Sequence, residues 1–296
     1  IQGSLLLAQG KAQLALETWQ QATQAYQSAD DAAGVARTLI NQTQALRALG
    51  LYPRSRKTLE TVFQSLQDQP DSLLKAASLL NLGDSLRLVG DFKQSQAVLQ
   101  QSWTIAQTLQ SPSDMAAARL SQGNTARAQQ QTEQALQFYQ QAIAIAPSAN
   151  LRVRAQLNQL QLLVATAQIA QAKNLLAPIQ TQLNRLPLSR SSLYAQVNFA
   201  ESWITLAEIK SDNPAANLAK IQNWQIPAQL LTTTVQQAQQ LGDPIAESYA
   251  LGYLGELYEK NQQWTEAQKA TEKALMLAQG RNASDIAYRW QWQLGR

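Results

Sequence analysis

The chain has 296 residues, of which 45% are apolar, and carries a net charge of +4. It contains no cysteine and no histidine, which excludes disulfides, cysteine proteases, Ser-His-Asp hydrolases and the usual zinc sites. Its basic charge is mild and spread along the chain, so nucleic acid is not the implied partner, and no apolar run of about 18 residues is available to insert into a membrane.

Glutamine, alanine and leucine dominate, while Gly (12) and Pro (9) are few. These are good helix formers, and no period-two run of β-branched residues competes with them. The expectation is an all-α chain without cofactor or catalytic residues.

Internal similarity organises the sequence from its start. Gly3, Thr43, Gly83 and Gly123 stand 40 residues apart. So do Ala15, Ser55, Ser95 and Ala135, the series Trp19, Leu59, Leu99 and Tyr139, and the series Ala22, Val62, Ser102 and Ala142. The first two classes are small and the third is mostly large and apolar. Small residues let two helices approach, and a large one fills the space to the next pair. A lone unit would leave an apolar face wet, so the units stack. Gly3 already holds an inner position, so the array begins part-way through a first helix.

Gly50 and Gly90 fall where a left-handed residue ends the first helix of a unit. Asp30-Asp31, Pro70-Asp71, Ser111 to Asp114, Pro147-Ser148, Gly242 to Pro244 and Ser284-Asp285 fall between units, where Ser and Asp cap the next helix. Helices of about 15–17 residues follow, roughly 24 Å long at 1.5 Å per residue.

Leu160, Ala172, Leu176 and Ile179 repeat the pattern after a step of 37. Ala200 holds the small first-helix place, and Gly255, Thr271 and Ala274 repeat the pattern again. Between Ala200 and Gly255 the chain is 15 residues too long. The surplus, near 211–227, reads as an extra short helix, either a packing embellishment or a binding element anchored by Trp224. Leu294-Gly295 repeats Leu254-Gly255, so 1–296 reads as one array of about seven units with a truncated eighth, cut from a longer protein. The last helix, from about Asp285, should carry Trp290, Trp292 and Leu294 with one face packed and the other wet. Trp19, Trp103 and Trp264 read as core or inter-unit packing.

The positions quoted resemble the tetratricopeptide repeat family. Leu79, Leu82-Gly83 and Leu86 match its first-helix pattern, and Leu254-Gly255 with Tyr258 match it better. Ala135, Tyr139, Ala142 and Pro147 match the second helix. The family's usual period is 34. The extra residues here extend the helix ends, as in the longer repeats of kinesin light chains and several bacterial regulators. The resemblance implies a right-handed superhelical solenoid of antiparallel helix pairs.

It also implies that the first helices line a concave groove. With Gly83 as place eight, the groove-facing places include two, six, nine and twelve. Place six reads Asn41, Asn81, Ser121, Asn158, Asn198, Tyr253 and Gln293. An Asn side chain offers a donor and an acceptor to an extended peptide backbone, or to a neighbouring helix. Place twelve reads Arg47, Arg87 and Arg127. Place two adds Arg37 and Arg154, and place nine adds Asn124. The lane is polar and basic, partly neutralised by Asp84, and would suit an acidic peptide. The C-terminal unit differs, with Tyr249, Tyr253, Glu256 and Glu259 on that face. Glu201 and Glu208, seven apart, read as a solvated helix face.

Two functions follow. One is a scaffold holding a protein or peptide segment in its groove. The other is the regulatory or substrate-recruiting arm of an enzyme. For the second, the stretches Glu247 to Glu256 and Asp285 to Arg296 resemble cyanobacterial proteins in which such repeats precede a caspase-like CHAT domain. That resemblance implies a catalytic domain beyond residue 296, which is an alternative partner for the groove. The localisation is not legible.

Overall fold

A computed structural model describes residues 1–209, 224–281 and 283–296. Most of the expected insertion, 211–223, lies outside the described residues. Those described form fifteen helices and no strand. They are α1 (Gln2–Ala8), α2 (Ala12–Ser28), α3 (Ala32–Ala48), α4 (Tyr52–Leu66), α5 (Leu73–Leu88), α6 (Phe92–Thr108), α7 (Pro112–Ala128), α8 (Thr132–Ile145), α9 (Ala149–Ala165), α10 (Ile169–Leu183), α11 (Arg190–Glu208), α12 (Gln225–Leu241), α13 (Pro244–Lys260), α14 (Trp264–Gln279) and α15 (Ser284–Leu294). The chain divides into two compact units, Ile1–Gln159 and Leu160–Arg296.

Helix starts follow local chemistry. Asp31, Ser72, Asp91 and Asp243 each accept a hydrogen bond from the backbone N–H three residues on. Each satisfies a donor that the helix cannot pair itself. Gly50 and Gly90 are left-handed, with φ of 75° and 85°. The same turn in later pairs carries Gln130, Ala167 and Gln262, with φ of 62°, 54° and 60°. Side-chain chemistry at that place is therefore not what sets the turn.

In the N-terminal unit consecutive helices pack on one another, and α5 also touches both α3 and α7. The first helices of successive pairs thus form a contiguous layer. A Cβ added to Gly3, Gly83 or Gly123 would come within 2.5 Å of Trp19, Leu99 or Tyr139 respectively. Each glycine is met by a side chain sixteen residues later, because its missing Cβ leaves the seat. Hydroxyls repeat the register. Ser95 donates to the Gly83 carbonyl at 2.8 Å and Ser55 to that of Thr43 at 3.3 Å. Ser55 pairs with Ser85, and Ser95 with Thr125, linking each second helix to the next first helix. The apolar core is built from Leu59, Leu79, Leu86, Val98 and Ile105.

In the C-terminal unit the core is aromatic. Val197, Ile204, Leu231, Leu254 and Trp290 cluster together, and Trp224 packs half-buried against them. On the last helix Trp290 takes the packed face. It is fully buried on Gly252, donates to Ser248 Oγ at 3.0 Å, and meets Tyr249 and Tyr253 edge-on. Trp292 and Tyr288 on the same helix are 60% and 70% exposed. Trp264, read as packing, is 64% exposed, because it sits at the first position of α14 beyond the crossing with α13. Trp19 is buried, and Trp103 is half-buried beneath the Arg119 guanidinium, 3.9 Å from its ring centroid.

Candidate functional site

The outward stripe of the first helices in the N-terminal unit is half-buried and polar. Places seven and eight are buried in both α3 and α5. Places six, nine and twelve flank them, so the helical period holds Asn41, Asn81, Asp84, Arg47 and Arg87 at the edge of the packed face.

These side chains bond across helices. Asn81 anchors itself by donating Nδ2–H to the Ala77 carbonyl at 2.8 Å, and its Oδ1 accepts from Arg47 at 3.1 Å. Arg47 also reaches Asp84 Oδ2 at 3.5 Å. The other carboxylate oxygen of Asp84 and Nε of Arg87 are buried without a hydrogen-bond partner. Further along, Asn124 Oδ1 accepts from the Tyr139 hydroxyl at 3.0 Å and from Asn158 Nδ2 at 2.7 Å. The Asn124 amide N–H groups are left without a protein partner among the described residues.

Burial pushes the Tyr139 hydroxyl up to about 12, while the nearby positive charges of Arg127 and Arg87 pull it back. Tyr139 thus keeps its proton and donates it to Asn124. The sequence assigned Tyr139 only to packing. Nothing in its spacing signalled that its hydroxyl belongs to the polar lane.

The structure therefore joins Arg47 to Asn81, and Asn124 to Asn158, with Arg87 and Arg127 both near Tyr139. Asn41 is half-buried beside them without a side-chain hydrogen bond. Arg37 and Arg154 are exposed. Asn198 is half-buried on α11 and belongs to the C-terminal unit.

On the corresponding face of the C-terminal unit, Glu201 pairs with Arg289 at 3.2 Å, and Arg289 lies 4.6 Å from the Tyr253 ring centroid. Burial and Glu201 raise the Tyr253 hydroxyl far above its ordinary value. Glu259 pairs with Arg296 at 3.0 Å, and Glu208 with Lys260. Glu201 and Glu208 thus bind separate cations rather than each other. Among the described residues no group of three or more acidic side chains is placed to hold a metal ion, and no helix is long and apolar enough to cross a membrane.

The fold is that of a tetratricopeptide-like helical repeat protein. Residues 74–148 match the family model described as tetratricopeptide repeat, the stretch that contains Gly83, Leu99, Gly123 and Tyr139. No curated protein matches the chain. Solved structures show the same fold at low identity. A Rap protein complexed with competence and sporulation factor aligns with a TM-score of 0.63 at 11% identity, over 97% of this chain and 74% of that one. BtubC from P. vanneervenii aligns at 0.60 and 14% identity, over 80% of this chain and 91% of that one. The apo form of RapI aligns at 0.59 and 7% identity, over 95% and 97%.

Proposed function

We propose that this chain is a protein-interaction scaffold that holds a peptide or partner segment along the first-helix face of its N-terminal unit. Contacts would come from Arg37, Asn41, Arg47, Asn81, Arg87, Asn124, Arg127 and Asn158, with Asn198 serving the other unit. The carrying observation is a cluster of polar groups without protein partners: Arg87 Nε and the second Asp84 carboxylate oxygen are buried without a hydrogen-bond partner, and no described acceptor meets the Asn124 amide N–H groups. A buried donor without an acceptor costs about 1–3 kcal/mol, so this face is completed by a ligand rich in carbonyl or carboxylate oxygen. Two further facts support the reading. The first helices α3, α5 and α7 touch in succession, and the closer layer of a curved stack is its inner wall. One structural neighbour is a Rap protein solved with competence and sporulation factor bound.

The ligand class is an acidic peptide. Binding of acidic peptides selected on an array should weaken as salt rises, because exposed charges are screened over about 8–10 Å. Changing Arg47, Arg87 and Arg127 together to Glu should cut affinity more than tenfold, about 1.4 kcal/mol. Unchanged binding by that variant, measured by calorimetry, rejects the lane.

A second reading, the arm of a CHAT-type protease, is favoured by the exposed aromatics Trp264, Tyr288 and Trp292 near the last described helix. It predicts a Cys- and His-bearing domain encoded after Arg296, which sequencing of the gene tests. Most of the residues that suggested it, such as Ser248, Gly252, Tyr253 and Trp290, are buried in the core, so packing accounts for them.

A further inference from the structure

A cavity of about 460 Å³ opens among α2, α3 and α4, none of them the first or the last helix. Buried Ala36 and Val62 and half-buried Leu39 form its apolar floor. At 3.6 residues per turn, Ala36 and Leu39 fall on the side of α3 opposite Arg37 and Asn41. The cavity is therefore separate from the polar lane.

One small residue leaves the space. Ser65 lines the cavity and turns its hydroxyl back on its own helix, donating to the Val62 carbonyl at 2.7 Å. Forty residues on, Ile105 is 6% exposed and packs in the core with Leu79 and Val98. A glycine shapes the wall. The exposed ring of Tyr26 lies at the cavity against the start of α3. A Cβ on Gly34 would come within 2.4 Å of that ring and 2.7 Å of Asp31 Oδ2. Glycine is a poor residue inside a helix, and here its missing Cβ seats the ring and a carboxylate side by side.

The mouth is acidic. Asp30 and Asp31 line it and are exposed. Asp31 Oδ1 accepts from the Gly34 backbone N–H at 2.8 Å. Neither carboxylate forms an ion pair with any described residue.

We propose that this cavity binds a small organic cation, a primary amine carried on an aromatic or branched aliphatic body. The ligand is small because the volume falls within the range of about 300–1,000 Å³ of small-molecule sites. Its body is apolar because the floor of Ala36, Leu39 and Val62 gains by being taken out of water. Its head is cationic because Asp30 and Asp31 are uncompensated, and because the face of the Tyr26 ring attracts a cation. An anion would be repelled by both carboxylates. A bare divalent ion would face an apolar floor in place of the oxygen shell it needs.

The test is calorimetry on the whole chain with phenylbutylamine as the probe, which should show saturable binding. Phenylbutanol, with the same body and no charge, should bind at least tenfold more weakly, and phenylbutyrate should not bind. Ser65→Ile, which places here the side chain found at residue 105, should weaken amine binding at least tenfold while circular dichroism stays unchanged. Asp30→Asn combined with Asp31→Asn should do the same. Asn still caps a helix and tolerates the left-handed conformation of residue 30, so this variant removes charge without removing either local role. Absence of saturable amine binding overturns the proposal, as does equal binding of amine and alcohol or equal binding by Ser65→Ile. A lysine-bearing peptide that binds this cavity at least tenfold more tightly than the amine also overturns it, because a partner protein would then be the occupant. The triple arginine variant of the polar lane should bind the amine as the parent does, so the two readings fail separately.

Discussion

In the N-terminal unit Arg47, at place twelve, pairs with Asp84, at place nine of the next first helix. In the C-terminal unit Glu259 pairs with Arg296 across the same 37 residues, with the signs reversed. The N-terminal face is an asparagine and arginine lane in which Arg87 Nε and one Asp84 carboxylate oxygen lack protein partners. Its C-terminal counterpart is built on Tyr249, Tyr253 and Trp290, and its charges are matched in pairs. The backbone register is common to both because places seven and eight are spent on close helix packing. The flanking places contribute little to the core, so their chemistry can diverge. A surface with unpartnered polar groups is suited to capture a ligand, and one with matched pairs is suited to hold itself together.

The largest expected effect lies in the aromatic region. Trp290→Ala removes a fully buried ring from Gly252 and its hydrogen bond to Ser248, whose hydroxyl still donates to the Ala274 carbonyl, and should cost about 3–5 kcal/mol. Urea unfolding followed by probes in each unit should show the C-terminal unit destabilised first. A loss below about 1 kcal/mol would mean that the aromatic core is not what holds this unit.

A second effect is confined to the polar lane. Tyr139 is raised to about 12 in the folded chain, against about 10 when unfolded. The folded state therefore holds its proton more tightly, and the stability it contributes is full below pH 10. That stability falls as pH rises from about 10 to about 12, by about 2–3 kcal/mol. Tyr139→Phe should flatten this part of the stability profile relative to the parent, whereas Tyr288→Phe, on an exposed ring, should leave it unchanged.

The shared register is tested next. Gly83→Leu drives atoms into Leu99 and should cost about 1–3 kcal/mol in thermal or chemical unfolding. An unchanged midpoint would mean that the seat is slack. The smallest effect concerns the turns. Ala167 holds a left-handed conformation at φ 54° that costs a residue with a Cβ about 1–2 kcal/mol. Ala167→Gly should thus stabilise by about 1 kcal/mol, and Gly90→Ala should destabilise by a similar amount.

Much of the architecture could be read from the sequence because its signals are local and periodic. The 40-residue spacing of Gly83 and Gly123, the 12- and 16-residue steps to Ser95 and Leu99, and the caps at Asp31 and Asp243 each follow from helix geometry. The left-handed Gln130, Ala167 and Gln262 escaped notice, since their residue types carry no turn signal and only the turn's place in the repeat imposes the conformation. Asn81 and Arg47 were legible as neighbours by register. The Tyr139 hydroxyl on Asn124 was not, because spacing fixes which face a ring occupies but not where its polar end lands.

The sequence by itself determined the helical class, the period, and which residues are small enough to sit at helix crossings, since these depend on intrinsic propensity and on volumes repeated at fixed intervals. Only the tertiary structure decided which outward side chains are paired and which are left wanting. Trp290 is buried while Trp264 and Trp292 are exposed, and Arg47 has Asp84 while Arg87 Nε has no acceptor. Two residues of one type in similar sequence surroundings differ in these ways because burial and hydrogen bonding depend on what arrives from a helix 16 to 40 residues away.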